Sequence, residues 1–337
     1  MARGRSSDPA RWLAPHTVAL LVGLAAGLSG AALIGIAWAA GRGKVLHALF
    51  HPHWLWLGVA VAGEGVAYLG YTAAYREVAA AEDGAELKAP RAAALVATGF
   101  GAFVHGGGFA LDRVALRRSG LSEQEARRRV VGLAMLEYTI LAPATMVAAA
   151  VVFFKQQGLS ASLTVPWIAG VPLGAALALI ALRHRKHVAG WPWVGKRLDR
   201  GLHSLGLVLG LLGSPRRHAL APIGALAYWG GDVFTLWATL HAFSAQPPPL
   251  AQLIVGYATG YALSRRALPL GGAGVVEALL TYSLVWLEIA LVPALLAVFA
   301  YRLVNLWLPM IPALAGIPTL RRLQGRQRRR RAGASPA

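Results

Sequence analysis

The stretch Tyr261–Thr281, YALSRRALPLGGAGVVEALLT, interrupts the long apolar runs on either side of it. The interruption consists of two arginines, one proline, three glycines and one glutamate: Arg265, Arg266, Pro269, Gly271, Gly272, Gly274 and Glu277. A charge at the bilayer centre costs about 3 kcal/mol, so charged side chains there usually face a cavity. Proline and glycine break a helix, and the freed backbone groups need protein or water around them. The stretch therefore predicts a broken helix lining a polar cavity; the alternative is a cytosolic loop between two ordinary spans.

The composition of the whole chain is typical of an all-α, polytopic integral membrane protein. Of its 337 residues, 56% are hydrophobic and 14% are charged, and the mean hydropathy is +0.53. Soluble domains carry about 25% charged residues, and a helix that spans a bilayer needs roughly 20 apolar residues. The chain has no cysteine, which excludes disulfides, thiolate catalysis and cysteine metal sites.

The formal net charge is +19, a value also found in nucleic-acid-binding proteins. The sequence lacks aromatic stacking motifs for nucleic acid, and positive charge in a membrane protein holds loops on the cytoplasmic side and against anionic headgroups. We therefore expect no nucleic-acid partner. We expect the basic stretch Arg183–His218 and the arginine-rich tail to lie against anionic lipid headgroups at the cytoplasmic face.

Six apolar runs are predicted to cross the bilayer as full spans: Val18–Ala40, Trp54–Tyr75, Val130–Phe154, Thr164–Leu182, Ala219–Phe243 and Ile289–Ile317. The first is too long for the core of a signal peptide. Two runs with glycine breaks, Arg91–Leu111 and Leu250–Leu287, are predicted to re-enter the membrane, or in the second case to make two short spans. Asp112–Arg129 is predicted to form a polar helix. The predicted domains are a basic cytoplasmic N-terminus (1–17), a transmembrane domain (18–318) and a disordered, arginine-rich cytoplasmic tail (319–337).

The positions of lysine and arginine determine the predicted orientation. If the N-terminus is cytoplasmic and each broken run returns to the side it entered from, only three of the 33 basic residues lie in outer loops: Arg42, Lys44 and Lys155. Three more lie within membrane segments: Arg265, Arg266 and Arg302. This is a strong positive-inside bias. It predicts a multi-pass protein of the cell inner membrane with both termini in the cytoplasm.

The predicted segments form two inverted units, each with a span, a glycine-broken segment and a second span. The break in the first unit is His105-Gly106-Gly107-Gly108, and the break in the second is the stretch quoted first. Paired broken segments in inverted halves indicate the binding site of a transporter. The alternative is coincidence, since glycine is common in membrane helices.

Two blocks of the chain resemble the lysylphosphatidylglycerol synthase transmembrane-region family. HGGGFALDRVALRRSGLSEQEARRRVVGLAMLEYTIL (105–141) resembles its central block, with His105 and three glycines where a proline usually precedes the glycine, and Glu137-Tyr138 where Glu-Arg is usual. LPLGGAGVVEALLTYSLVWLEIALVPALLAVFAYRLVNLWLPMIPALAG (268–316) resembles its C-terminal block, P-x-G-G-x-G-x-x-E followed by a span with an arginine after an aromatic residue. The matching positions are Pro269, Gly271, Gly272, Gly274, Glu277, Tyr301 and Arg302.

The resemblance implies a flippase-like domain that moves an anionic phospholipid or a lipid-linked intermediate between leaflets. The full synthases carry a soluble aminoacyl-transferase domain after the membrane part. This chain ends shortly after its last predicted span, so we expect a lipid transporter and no synthesis of aminoacylated lipid. A membrane glycosyltransferase or other lipid-headgroup transferase is one alternative, although no Asp-x-Asp pair is present. A transporter of small anionic solutes is another.

Arg265 and Arg266 are the predicted phosphate ligands, because an arginine fork matches phosphate oxygens bidentately; the alternative is that they snorkel from a helix end. Glu277 is predicted to contact substrate or carry a proton, or else to cap the next helix and pair with Arg265 or Arg302. Arg302 needs a counter-charge from Glu277 or Asp232. The further substrate-binding residues predicted are those of the two breaks and of the matched pattern: His105, Gly106, Gly107, Gly108, Pro269, Gly271, Gly272, Gly274 and Arg302.

Single acids interrupt three of the apolar spans: Glu64, Glu137 and Asp232. They are predicted to carry a proton or to form ion pairs; the alternative is burial as protonated or hydrogen-bonded groups. Three histidines, His47, His51 and His53, form H-x-x-x-H-x-H beside tryptophans. A metal site needs convergent geometry and a fourth ligand, so an interfacial histidine cluster is predicted instead. We expect no metal or other cofactor.

Overall fold

The computed structural model describes residues 15–100, 108–155, 159–262 and 269–311, and the elements within them are helical. The first half contains α1 (Pro15–Ala40), α2 (Arg42–Leu49), α3 (Trp54–Ala80), α4 (Ala89–Phe100), α5 (Gly108–Arg118) and α6 (Glu123–Phe154). The middle contains α7 (Ala161–Arg183), α8 (Arg185–Ala189), α9 (Gly195–Gly213) and α10 (Pro215–His218). The second half contains α11 (Leu220–Ala242), α12 (Leu250–Tyr257), α13 (Val275–Trp286) and α14 (Leu291–Arg302). The all-α class is confirmed.

Four of the described helices are long and apolar enough to cross a bilayer. They are Ala19–Ala40 of α1, then α6, α7, and Leu291–Ile311, which extends α14. A fifth is the pair α2 and α3, bent by 79° at a break that contains Pro52. α11 is a 23-residue helix at the place of the remaining predicted span. A helical membrane protein is thereby confirmed, while the exact count of six full spans stays a prediction.

α3 and α11, the first helices of the two predicted units, cross in close contact at glycine residues. A Cβ atom at Gly70 would lie 2.6 Å from the carbonyl oxygen of Gly224, and one at Gly231 would lie 2.6 Å from that of Gly63. Small residues allow such close approach of two membrane helices. Thr235 adds a hydrogen bond across the crossing, from its Oγ1 to a carbonyl oxygen of α3 at 3.2 Å. The two halves of the chain therefore meet backbone against backbone.

Asp112–Arg129 forms two elements instead of the single polar helix predicted. Gly120 has a φ of 104°, in the left-handed region that favours glycine, and it ends the helical path after α5. Ser122 then caps α6, because its Oγ accepts the backbone N–H of Glu125 at 3.2 Å. The arginines at 127–129 consequently belong to the first turns of the long helix α6.

Arg129, on α6, is buried and holds the end of α3. Its Nε donates to the carbonyl oxygen of Ala79 at 3.2 Å and its Nη2 donates to that of Ala81 at 2.7 Å. Its Nη1 bonds Glu125 one turn earlier in α6. The last carbonyl groups of a helix have no partner within the helix. One buried guanidinium therefore joins the start of α6 to the end of α3.

The basic stretch Arg183–His218 forms the short helices α8 and α10 and the longer helix α9. α9 packs against α6 and buries Leu207 and Leu211. Trp191 and Trp193, which precede α9, are 51% and 98% exposed. Tryptophans beside basic residues are typical of the membrane–water interface. The location of this stretch at the cytoplasmic interface stays a prediction.

Each glycine-broken run contains two helices that contact each other, α4 with α5 and α12 with α13. The links between them, 101–107 and 263–268, lie outside the described residues. Five predicted site residues lie in those links: His105, Gly106, Gly107, Arg265 and Arg266. Most of the predicted N-terminal segment (1–17) and the whole tail (319–337) also lie outside the described residues. Re-entry of the two runs stays a prediction.

Candidate functional site

The turn before α13 has a backbone that favours glycine. Pro269–Gly272 forms a short 3-10 turn, and Gly271, Gly272 and Gly274 have φ angles of 64°, 72° and 84°. Residues other than glycine are strained in this left-handed region, because their Cβ atom crowds the backbone. A Cβ atom at Gly274 would also lie 3.0 Å from the carbonyl oxygen of Leu28 in α1. The glycines of this turn are therefore explained by its shape and by its contact with α1. Their role in substrate binding stays a prediction.

Glu277 and Arg302 form a buried ion pair behind this turn. Arg302 Nε donates to Glu277 Oε1 at 3.0 Å, and its Nη2 donates to the carbonyl oxygen of Gly271 at 3.0 Å. Glu277 Oε2 accepts the backbone N–H of Gly274 at 2.7 Å, and Oε1 also accepts the hydroxyl of Ser29 at 2.8 Å. Glu277 thus both caps α13 and supplies the counter-charge of Arg302. The pair ties the glycine turn to α14 and to α1.

A second buried cluster lies where α3, α11 and the extension of α14 meet. Asn305 Nδ2 is 2.8 Å from Asp232 Oδ1 and 3.4 Å from Glu64 Oε2. Tyr257 donates its hydroxyl to Asp232 Oδ2 at 2.5 Å, and Tyr301 donates to Oδ1 at 2.8 Å. Glu64 and Asp232, which are far apart in sequence, therefore converge on one amide group.

Two π turns join the ion pair to the acid cluster. Ala258–Ala262 continues α12 and carries Tyr261, and Leu303–Trp307 continues α14 and carries Asn305. Tyr261 donates its hydroxyl to Asn305 Oδ1 at 2.8 Å, and its ring centroid lies 5.9 Å from the guanidinium carbon of Arg302. Single π turns inside α-helices occur frequently at functional sites. Together the two clusters form one buried polar network that connects α1, α3 and α11 to α14.

Four members of this network were not predicted from the sequence: Ser29, Tyr257, Tyr261 and Asn305. Asn305 is three residues after Arg302 and so lies on the same helix face. Tyr257 and Tyr261 are four residues apart in an apolar run and share a face in the same way. Polar side chains that repeat at helical spacing from a buried charge were the available signal.

Glu64 is the predicted residue of the first half that joins this network in the described contacts. Glu137 is fully buried in α6, and its backbone carbonyl accepts the indole N–H of Trp229 at 2.9 Å. Gly108 is the first residue of α5. The remaining residues of the first glycine break lie outside the described residues. A role for Glu137 as a proton or ion-pair group stays a prediction.

The histidine cluster is tied to the backbone and to a serine. His51 Nδ1 lies 2.7 Å from the carbonyl oxygen of His47, and His53 Nε2 lies 3.2 Å from Ser244 Oγ. The described residues contain no group of three or more His, Cys, Asp or Glu side chains that could hold a metal ion.

A comparison of the chain with curated proteins gave no match. A family model does match, over residues 18–313, which include the described spanning helices and both clusters of the network. The match confirms the resemblance found in the glycine turn and in the span that carries Arg302. It indicates a membrane protein involved in lipid handling. The chain belongs to the family described as the lysylphosphatidylglycerol synthase TM region.

Proposed function

We propose that the protein is a transporter, not an enzyme, and that it moves an anionic phospholipid or lipid-linked intermediate between the leaflets of the cell inner membrane. The observation that carries the proposal is the buried Glu277–Arg302 pair, which holds a non-helical glycine turn between spanning helices. Irregular backbone at membrane depth is tolerated where protein buries it or where it lines a cavity. Discontinuous helices of this kind form substrate sites in transporters.

Arg265 and Arg266 are the proposed ligands of the substrate phosphate. Arg302 is only 2% exposed and already donates to Glu277 and Gly271. Its charge is paired within the protein, and a direct role of Arg302 in substrate binding stays a prediction. Arg265 and Arg266 precede the turn and carry the guanidinium groups that bind phosphate best.

The outer face of α13 is compatible with a lipid substrate. Val275, Leu279, Tyr282 and Trp286 are each between 45% and 60% exposed, at the spacing of one helix face. Glu277, on the same helix, is fully buried. α13 therefore presents an apolar stripe outward and the polar network inward. In the proposed mode of binding, the acyl chains of the lipid lie in the bilayer and its headgroup lies beside the glycine turn.

Lipid movement in reconstituted vesicles tests the proposal. Purified protein is placed in liposomes that contain a headgroup-labelled anionic or zwitterionic phospholipid, and the label accessible to an impermeant quencher is followed with time. We expect the anionic lipid to move faster than in empty vesicles, and faster than the zwitterionic one. Mass spectrometry of the recovered lipid should show unchanged molecules. Rates equal to those of empty vesicles, from monodisperse protein, would contradict transport, and a modified lipid would indicate a transferase.

A further inference from the structure

The acids Glu64 and Asp232 occupy matching places in the two halves of the chain. Glu64 follows Gly63 in α3, and Asp232 follows Gly231 in α11. The two glycines lie against each other: a Cβ atom at Gly63 would be 3.2 Å from the carbonyl oxygen of Gly231, and one at Gly231 would be 2.6 Å from that of Gly63. The crossing that joins the halves therefore also fixes the separation of the two acids.

The hydrogen bonds around Asp232 indicate which of the two acids carries the negative charge. Asp232 accepts three hydrogen bonds, from the hydroxyl groups of Tyr257 and Tyr301 and from Asn305 Nδ2, at 2.5, 2.8 and 2.8 Å. Several donors directed at a carboxylate favour its ionised form. Glu64 meets the same Asn305 nitrogen at the longer distance of 3.4 Å. The three donors of Asp232 thus favour its ionised form.

A second negative charge at this place would be unfavourable. Glu64 is 5% exposed and Asp232 is fully buried, and both approach one nitrogen atom, so two ionised carboxylates would repel each other with little screening by water. The other ionisable groups in the described contacts of the network are Tyr257, Tyr261, Tyr301, Glu277 and Arg302. The positive charge of Arg302 is bonded to Glu277, and Tyr261 donates to Asn305. These partners stabilise one carboxylate more readily than two.

We propose that Glu64 and Asp232 form a proton-binding site at the crossing of the two halves, with the proton on Glu64 and the charge on Asp232. The second part of the proposal is that the binding and release of this proton control the lipid movement proposed above. When Glu64 releases its proton to water, its carboxylate and that of Asp232 repel each other. The repulsion acts on α3 and α11, which are the first helices of the two units. This second part rests on the proposed function, whereas the proton-binding site does not.

Infrared spectroscopy of the purified protein measures the proton directly. At neutral pH the difference spectrum between the wild-type protein and Glu64→Gln should contain the C=O stretch of one protonated, buried carboxyl group, and this is the band of Glu64. Asp232→Asn should remove the neighbouring charge, so the band should titrate away at lower pH than in the wild type. The control is Glu288→Gln, an exposed acid after α13, which should leave the band unchanged.

Two further measurements guard against misfolding and against a metal cation in the same site. Tyr301→Phe removes one donor to Asp232 and keeps the ring, so it should shift the titration of the band while the protein stays monodisperse. Replacing sodium in the buffer by a bulky organic cation should leave the band unchanged. A carboxyl region that is identical in the wild type and in Glu64→Gln, or a Glu64 band that depends on sodium, would overturn the proton site.

Vesicle measurements separate this inference from the proposed function. Lipid movement by the wild-type protein should change severalfold when a proton gradient is imposed, and movement by Glu64→Gln should not respond. If the infrared band behaves as expected but no lipid moves, the proposed function is wrong and the proton site stands. If lipid moves and both proteins respond equally to the gradient, the control of movement by Glu64 is wrong.

Discussion

Glu277 Oε1 lies 3.0 Å from Arg302 Nε, and the two side chains are 0% and 2% exposed. This pair joins the last spanning helix to a turn whose shape depends on glycine. An isolated charge in such surroundings is unfavourable, so each side chain requires the other. Arg302 also donates to the carbonyl oxygen of Gly271, within that turn. The pair is therefore a positioning element of the candidate site.

Breaking the pair should destabilise the protein strongly. Glu277→Gln leaves the Arg302 guanidinium buried without its counter-charge, which costs about 3–5 kcal/mol in comparable pairs. The double variant Glu277→Leu, Arg302→Met removes both charges and should recover most of that loss. Thermal unfolding in detergent, followed by the loss of monodisperse protein, measures both. The matched control is Glu288→Gln, which removes an exposed carboxylate and should unfold as the wild type does. Equal unfolding temperatures for Glu277→Gln and the wild type would show that the pair does not hold the turn.

Alanine at the glycine crossing should weaken the packing of α3 against α11 and lower the stability of the protein. A Cβ atom at Gly231 would lie 2.6 Å from the backbone nitrogen of Ala67 and from the carbonyl oxygen of Gly63, and neither backbone group can rotate away. Overpacking of this kind costs about 1–3 kcal/mol. The neighbouring residue Gly230 is the control, because a Cβ atom there meets nothing within 4 Å. Gly231→Ala should lower the unfolding temperature, and Gly230→Ala should leave it unchanged or raise it. The reverse order would contradict the crossing.

The broken segment and its ion pair could be predicted from the sequence, because they depend on the properties of single residues and of their neighbours in the chain. Gly271, Gly272 and Gly274 indicated a turn because they permit positive φ, and the structure has that turn. Arg302 required an acid nearby, and Glu277 is the acid. Such local rules also place the spanning helices, since a bilayer sets the length of an apolar run.

The convergence of Glu64, Asp232 and Asn305 could not be predicted from such rules. It depends on which helices cross and at which residues, and that is decided by packing between segments far apart in sequence. The sequence does contain a partial signal, because Gly63-Glu64 and Gly231-Asp232 repeat one pattern in the two units. Small residues mark contacts between membrane helices, so the acids beside them were candidates for a shared site.

The predicted topology can be tested at the two ends of α6. Ser122 precedes this 32-residue helix, and Ser160 follows it; both are exposed. At 1.5 Å per residue the helix is about 48 Å long, more than the roughly 30 Å of the bilayer core, so its ends face opposite sides. The chain has no native cysteine, so single cysteine variants can be labelled cleanly. In intact cells an impermeant thiol reagent should label Ser160→Cys and not Ser122→Cys. Labelling of Ser122→Cys alone would invert the orientation, and with it the re-entrant assignment of Arg91–Leu111.

The last prediction concerns Arg265 and Arg266, the proposed phosphate ligands. Lysine keeps the positive charge but lacks the planar fork that bonds phosphate through two parallel hydrogen bonds. The double lysine variant should therefore insert normally and move anionic lipid much more slowly than the wild type. The double alanine variant should be nearly inactive, because no cation remains to offset the desolvation of the phosphate. The measurement is lipid movement in proteoliposomes, with monodispersity checked for each variant.

Two controls make this result specific to the phosphate. Deletion of Gln324–Ala337 removes several arginines of the tail and none of the network, so lipid movement should survive while binding to anionic liposomes weakens by about 1 kcal/mol per arginine near the surface. Movement of a zwitterionic lipid, if the wild type supports any, should fall less in the lysine variant than movement of an anionic one. Wild-type rates from the double alanine variant would remove both arginines from the mechanism. They would then be side chains that extend from a helix end to the membrane surface, and the phosphate would have to be held by another part of the chain.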